Sequence, residues 1–258
     1  MENSEHHFMA HHELSPYYQK VFHTLISESD RGAVLLGVSL IDEHLTMLFE
    51  KILPESVSGK RQKEIFNFTG PFGSLASKLD IALVCRLLPI EIVTAIHKIR
   101  KIRNAVAHQT ISLNLKEYQA QLYEIFTLMG TNVNDSISRM TKEMILKDTL
   151  NILTVMEHPT EDGNPLFEGK ADAIEYLSKN GKVLKVLEEK RPRWELALGV
   201  GLICGMILLY RDEVIETLGC NKTIIGALYE AKEFGMKHQR QRVADELPPN
   251  QQNGADCA

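Results

Sequence analysis

Charge interrupts the sequence often, and no uncharged run reaches the length of a spanning helix. Its longest uncharged run, residues 196–210, has fifteen residues, and a spanning helix needs about 20. A buried packing helix is expected there, and a membrane is not an expected partner. The four cysteines, Cys85, Cys204, Cys220 and Cys257, lie far apart with no C-x-x-C or zinc spacing, so neither a disulfide framework nor a structural metal is expected. Basic residues are not in excess: 29 stand against 34 acidic ones, for a net charge of −5. Bulk nucleic-acid coating is thereby excluded, and any such contact must be a local patch. No charged-then-apolar leader pattern opens the chain, and a cytoplasmic protein with reduced thiols is expected. Strict apolar–polar alternation is scarce, which argues against a sheet.

What the sequence does contain is helical periodicity. Ser15-Pro16 reads as a helix start, and Ser29 or Asp30 caps an apolar segment, 32–53, that Pro54 stops. Its core face is Val34, Leu35, Val38, Ile41, Leu45, Leu48 and Phe49, interrupted by Asp42, Glu43 and His44. Those three form a solvated edge, or else Asp42 or Glu43 faces Arg103 of a later helix and fixes its guanidinium by a charge-assisted hydrogen bond. Residues 54–73 read as a connector ending in a Gly-Pro-Phe-Gly turn. Ser74 caps a helix over 75–88, closed by Pro89. The helix that follows is the most informative in the chain.

That helix, IVTAIHKIRKIRNAVAHQ over 92–109, places Ile92, Ala95, Ile96, Ile99, Ile102 and Val106 at three- and four-residue spacing, one buried face. Lys98, Arg100, Lys101, Arg103 and Asn104 are read as the opposite side. Arg100, Asn104 and His108 fall along one edge, and Arg103 lies about 140° from His108 in an ideal helix. A guanidinium that never deprotonates beside an imidazole that can is a pair suited to a phosphodiester.

Arg103-Asn104-Ala105-Val106-Ala107-His108 resembles the R-N-x-x-x-H motif of the HEPN superfamily, small α-helical domains that are often metal-independent ribonucleases. The preceding Gly70-Pro71-Phe72-Gly73-Ser74-Leu75-Ala76-Ser77-Lys78 resembles the G-x-x-G-x-x-x-x-[RK] segment of the mannitol operon repressor family, where it precedes the same I-R-K-I-R-N helix. The resemblance covers roughly residues 30–150. It implies an up-and-down helical bundle of HEPN type with a C-terminal helical extension, and two protomers whose Arg and His share one cleft. Carried over, Arg103, Asn104 and His108 are the catalytic candidates, and Arg100 and Lys101 bind substrate. RNA is the implied substrate, cut without metal or cofactor.

Four segments are expected: a flexible terminus at 1–14, the HEPN-like domain at 15–156, a helical region at 171–245 and a disordered tail at 246–258. The proline-, glycine- and acid-rich stretch 157–170 is the boundary. Helices are expected over 171–179, 183–190, 195–210, 213–218 and 223–234. His6, His7, His11 and His12 suit zinc or nickel, but a mobile polar terminus is the reading taken.

Three functions stay open. One is an RNA-acting effector of toxin, defence or stress type, working as a metal-independent endoribonuclease. Another is a non-catalytic regulator of the mannitol repressor kind, whose DNA contact rests on a weak helix-turn-helix pattern over 213–231 and on Lys222 and the basic run Lys237, His238, Arg240 and Arg242. The last is an interaction module of a toxin–antitoxin or defence assembly, binding a protein through its apolar C-terminal helices.

Overall fold

The structure, a computed structural model, describes residues 14–107, 113–130, 132–155, 167 and 169–218. Among the described residues the chain is all-α. Helix α1 (Leu14–Ser27) is followed at once by α2 (Asp30–Ile52). Ser29 Oγ accepts the Gly32 amide at 3.0 Å, capping an N–H with no partner inside the helix. Asp30 lies in the first turn and Lys51 in the last, both favoured by the helix dipole.

The stretch expected to be only a connector holds α3 (Gly59–Phe66), capped by Ser58 Oγ on the Arg61 amide. This helix buries no residue fully, so no apolar face announced it. Helix α4 (Leu75–Val84), capped by Ser74 as expected, ends one turn before the expected Leu88. The cause is Arg86, a non-glycine residue in the left-handed region at φ 55°. Around it the Leu87 amide donates to the Ala82 carbonyl at 2.8 Å and the Arg86 amide to the Leu83 carbonyl at 3.0 Å, a Schellman ending. Leu87 and Leu88 then turn into the core.

Helix α5 (Ile90–Ala107) packs against α2, α4 and α6 (Gln119–Leu128). A 3-10 turn, Leu115–Tyr118, leads into α6; α7 (Val133–Val155), α8 (Lys170–Lys179) and α9 (Gly181–Leu218) complete the described chain. The described part of the C-terminal region, 169–218, is not a separate layer. Helix α9 packs chiefly against α2 and α1, and Leu196, Ala197, Leu198, Val200, Ile203, Cys204 and Ile207 belong to the same core as Ile41, Leu45 and Ile96. The boundary expected at 157–170 divides the chain in sequence but not in packing. Among the described residues, the apolar run 196–207 is largely buried within the bundle, while Ile174, Tyr176 and Leu184 stay exposed.

Three of the expected C-terminal helices are one. At 38 residues, α9 is roughly 57 Å long, and it runs through Pro192, where a hydrogen bond is lost and a clash is usual. Pairs on both sides of the proline hold it. The Arg191 Nε and a terminal guanidinium nitrogen donate to Glu195 Oε1 and Ser138 Oγ, both at 2.7 Å. Arg193 Nε donates to Asp30 Oδ1 at 2.8 Å, and its guanidinium reaches the Glu28 carbonyl at 2.6 Å. Asp30 Oδ2 also accepts the Leu115 amide at 2.8 Å. The Asp30 carboxylate thus joins the start of α2 to the 3-10 turn and the C-terminal helix, and Arg193 extends the link to Glu28, just after α1.

Among the described residues α2 is the one helix long and apolar enough to cross a membrane, and half of its apolar window is buried by other helices. That is the profile of a core helix. The helix-turn-helix pattern falls partly on α9, which continues unbroken through 213–218; its remainder, the basic run, the tail and the N-terminal histidines lie outside the described residues.

Candidate functional site

The glycine–lysine motif sets α4 against α2. Gly70 and Gly73 sit where the chain folds back over the end of α3. A Cβ on Gly70 would lie 2.3 Å from the Glu64 carbonyl oxygen, and one on Gly73 would lie 2.2 Å from that of Asn67. Backbone cannot yield there, so both positions exclude a side chain. Between them and α2, Phe72 packs on Phe49 and Phe66 with ring centroids 4.4 and 5.5 Å apart.

Lys78, the last residue of that motif, is buried. Its ammonium donates to Asp42 Oδ1 at 2.8 Å and to Thr46 Oγ1 at 2.7 Å. Asp42 therefore faces Lys78 and does not hold Arg103. The alternative in which Asp42 fixed the Arg103 guanidinium is corrected, and the reason is topological: α4 lies against the same stretch of α2 that carries Asp42.

On α5, Ile92, Val93, Ala95, Ile96, Ile99, Ile102 and Val106 are buried as the spacing requires. Lys101 and Asn104 are exposed, while Arg100 and Arg103 are half-buried. Arg103 is therefore not on the side opposite the core. It stands four residues after Ile99 and seven after Ile96, in their column, and is half-buried. Arg100 is more unusual. Its Nε is fully buried and has no hydrogen-bond partner among the described residues, a desolvation cost that goes uncompensated. His108 lies outside the described residues.

Four other arginines of the bundle are neutralised, while Arg86 and Arg139 have no carboxylate within 4.0 Å among the described residues. Arg61, Arg191, Arg193 and Arg211 each have a carboxylate within 4.0 Å. Arg100, Lys101 and Arg103 have no such partner among the described residues. The charge they leave is felt locally: burial first, then Arg100 and Lys101, hold His97 below its ordinary pKa against the pull of Asp80, whose carboxylate is 3.8 Å away.

On the other flank of α5 a cavity of about 310 Å³ opens against α6 and the 3-10 turn before it. Ile102 and Ile125 form its buried floor, Tyr118 and Gln121 its wall. Lys98 and Glu124 pair across its rim at 3.2 Å. Sequence reading missed this cavity, since Tyr118 and Gln121 come from a separate element. The one sequence signal was Lys98, Lys101 and Ala105 sharing a helix face.

Elsewhere, His44 is buried on α2 and its Nδ1–H donates to the Leu40 carbonyl at 2.6 Å. Burial lowers its pKa most, opposed by that hydrogen bond and by Glu43, so it is a neutral core group. Burial also pushes the Cys204 thiol far up, which leaves it inert as a nucleophile.

The fold and site define an all-α bundle with an unneutralised cationic edge along the last turns of α5. Comparison with models of protein families, with curated proteins and with solved structures finds no match to the chain.

Proposed function

We propose that this protein is a cytoplasmic, HEPN-like effector that binds RNA along the C-terminal half of α5 and cuts it without a metal, two copies combining their edges. The observation that carries the reading is the pair Arg100 and Arg103, half-buried on one packed helix with no carboxylate partner among the described residues, the Arg100 Nε being fully buried and unbonded. A guanidinium kept partly dry and unpaired is prepared for a phosphate, which it can meet with two parallel hydrogen bonds. The resemblance of Arg103-Asn104-x-x-x-His108 to the HEPN motif supplies the chemistry. In that chemistry the ribose 2′-oxygen attacks phosphorus as a base takes its proton, and the 5′-oxygen leaves with a proton from an acid; His108 serves one or both transfers. Arg103 stabilises the charge gathering on the phosphorane. Asn104, exposed one turn before His108, binds a phosphate oxygen or orients the imidazole.

The regulator and interaction-module readings gain no specific support. The glycines and lysine that resemble the repressor family are accounted for by backbone approach and a buried ion pair, and the apolar C-terminal run by core packing.

Binding is tested by the salt dependence of affinity for single-stranded RNA. Each phosphate contact contributes about −0.7 to the slope of log Kobs against log salt concentration. Replacing Arg100, Lys101 and Arg103 together by alanine is expected to flatten the slope by about 2. An unchanged slope means that the strand lies elsewhere.

A further inference from the structure

The cavity between α5 and α6 has no role in the chemistry above. We propose that it seats one unstacked base of the bound RNA, an inference that rests on the RNA-binding reading. At about 310 Å³ it falls at the small end of ligand sites, which run from about 300 to 1,000 Å³. Its floor is apolar, with Ile102 and Ile125 both buried and Ala105 at the lip. Of its polar lining residues, Lys101, Gln121 and Glu124 are exposed at the margin, and Lys98 and Tyr118 are half-buried. This distribution suits a flat heteroaromatic ring, whose faces are apolar and whose edge carries donors and acceptors.

Gln121 is exposed on that margin. Its amide offers a donor and an acceptor side by side, the pattern that meets a base edge with two hydrogen bonds. The Tyr118 ring, half-buried in the wall, supplies an aromatic surface. Glu124 would repel a strand, but Lys98 neutralises it at 3.2 Å. Lys101 links the two regions: it lines the cavity and follows Arg100 directly in the chain, about 100° round the helix. A nucleotide with its base in the cavity can therefore leave its phosphate at Lys101, with the strand running on to Arg100 and Asn104.

The test is fluorescence anisotropy with the full chain and two labelled oligomers of equal length. One is 2′-O-methyl RNA, which the proposed chemistry cannot cut, and the other is its abasic counterpart with the same phosphates. The wild type is expected to bind the base-bearing oligomer about tenfold tighter or more, as base stacking commonly provides. Ala105→Leu, which fills the cavity, should reduce its affinity to that of the abasic strand. Gln121→Ala, at an exposed position that leaves folding intact, should remove part of the preference. Arg100→Ala should weaken both oligomers alike. Equal binding of the two oligomers by the wild type, or an undiminished preference in folded Ala105→Leu and in Gln121→Ala, overturns the base seat and leaves the RNA reading standing. Failure to bind either oligomer overturns both.

Discussion

Asp42→Ala is expected to lower the free energy of unfolding by about 3 kcal/mol, near the bottom of the range for breaking a buried ion pair. Lys78→Met should cost about 1 kcal/mol or less, because a buried pair replaced by apolar volume is often neutral. The asymmetry follows from burial. The Lys78 side chain is 6% exposed and the Asp42 side chain 39%. Without Asp42, the ammonium is left dry with Thr46 Oγ1 as its remaining partner. Without Lys78, the carboxylate still reaches water, and the methionine keeps most of the lysine stem's packing. Urea unfolding of the two variants measures the difference. Equal losses would mean that the buried charge is not what the pair neutralises.

Gly199→Ala is expected to cost about 3 kcal/mol, the upper end for an overpacked core. An added Cβ would lie 2.0 Å from Cε1 and 2.1 Å from Cζ of Phe126. Phe126 is itself fully buried, so its ring has no open side to turn toward. The same substitution at Gly181, where an added Cβ meets nothing within 4 Å, should be neutral or slightly stabilising, since alanine is the better helix former. If the contact is the cause, Phe126→Leu in the Gly199→Ala background should recover part of the loss, a non-additivity that a double-mutant cycle reads directly. Strict additivity would assign the loss to something other than that ring.

Much of the bundle is legible from local chemistry. Ser29 and Ser74 stand where a cap is needed, Pro54 and Pro89 where a helix must stop or start, and the isoleucine column of α5 declares its buried face. The departures arise where tertiary contacts override local preference. Helix α3 has a serine cap but no core face to give it a period. Arg86 ends α4 in a conformation that glycine usually supplies, so no glycine marks the turn. Pro192 signals a break, yet Glu195, Ser138, Asp30 and the Glu28 carbonyl hold the helix continuous from both sides. Nothing near Gly199 in the sequence marks it, because the constraint comes from Phe126, seventy-three positions earlier in the chain.

The candidate site divides in the same way. Its basic helix was plain in the sequence, and the 3.6-residue repeat already assigns Arg103 to the Ile96–Ile99 column, which a reading by charge alone set on the wrong side. The dry Nε of Arg100, the carboxylates that neutralise other arginines and the cavity against α6 required the packed structure, because each depends on residues remote in sequence.

On the proposed reading, Arg103 and His108 cut RNA by acid–base chemistry at a cationic helix edge. Its most direct test is the cleavage rate of a single-stranded RNA by the full chain in excess EDTA. Wild-type protein is predicted to cut, leaving 2′,3′-cyclic ends. Arg103→Ala and His108→Ala, each folded by circular dichroism, are predicted to lose about 100-fold or more, the scale of one transition-state charge contact. Undiminished cutting by either variant, or none by the wild type, would contradict the account.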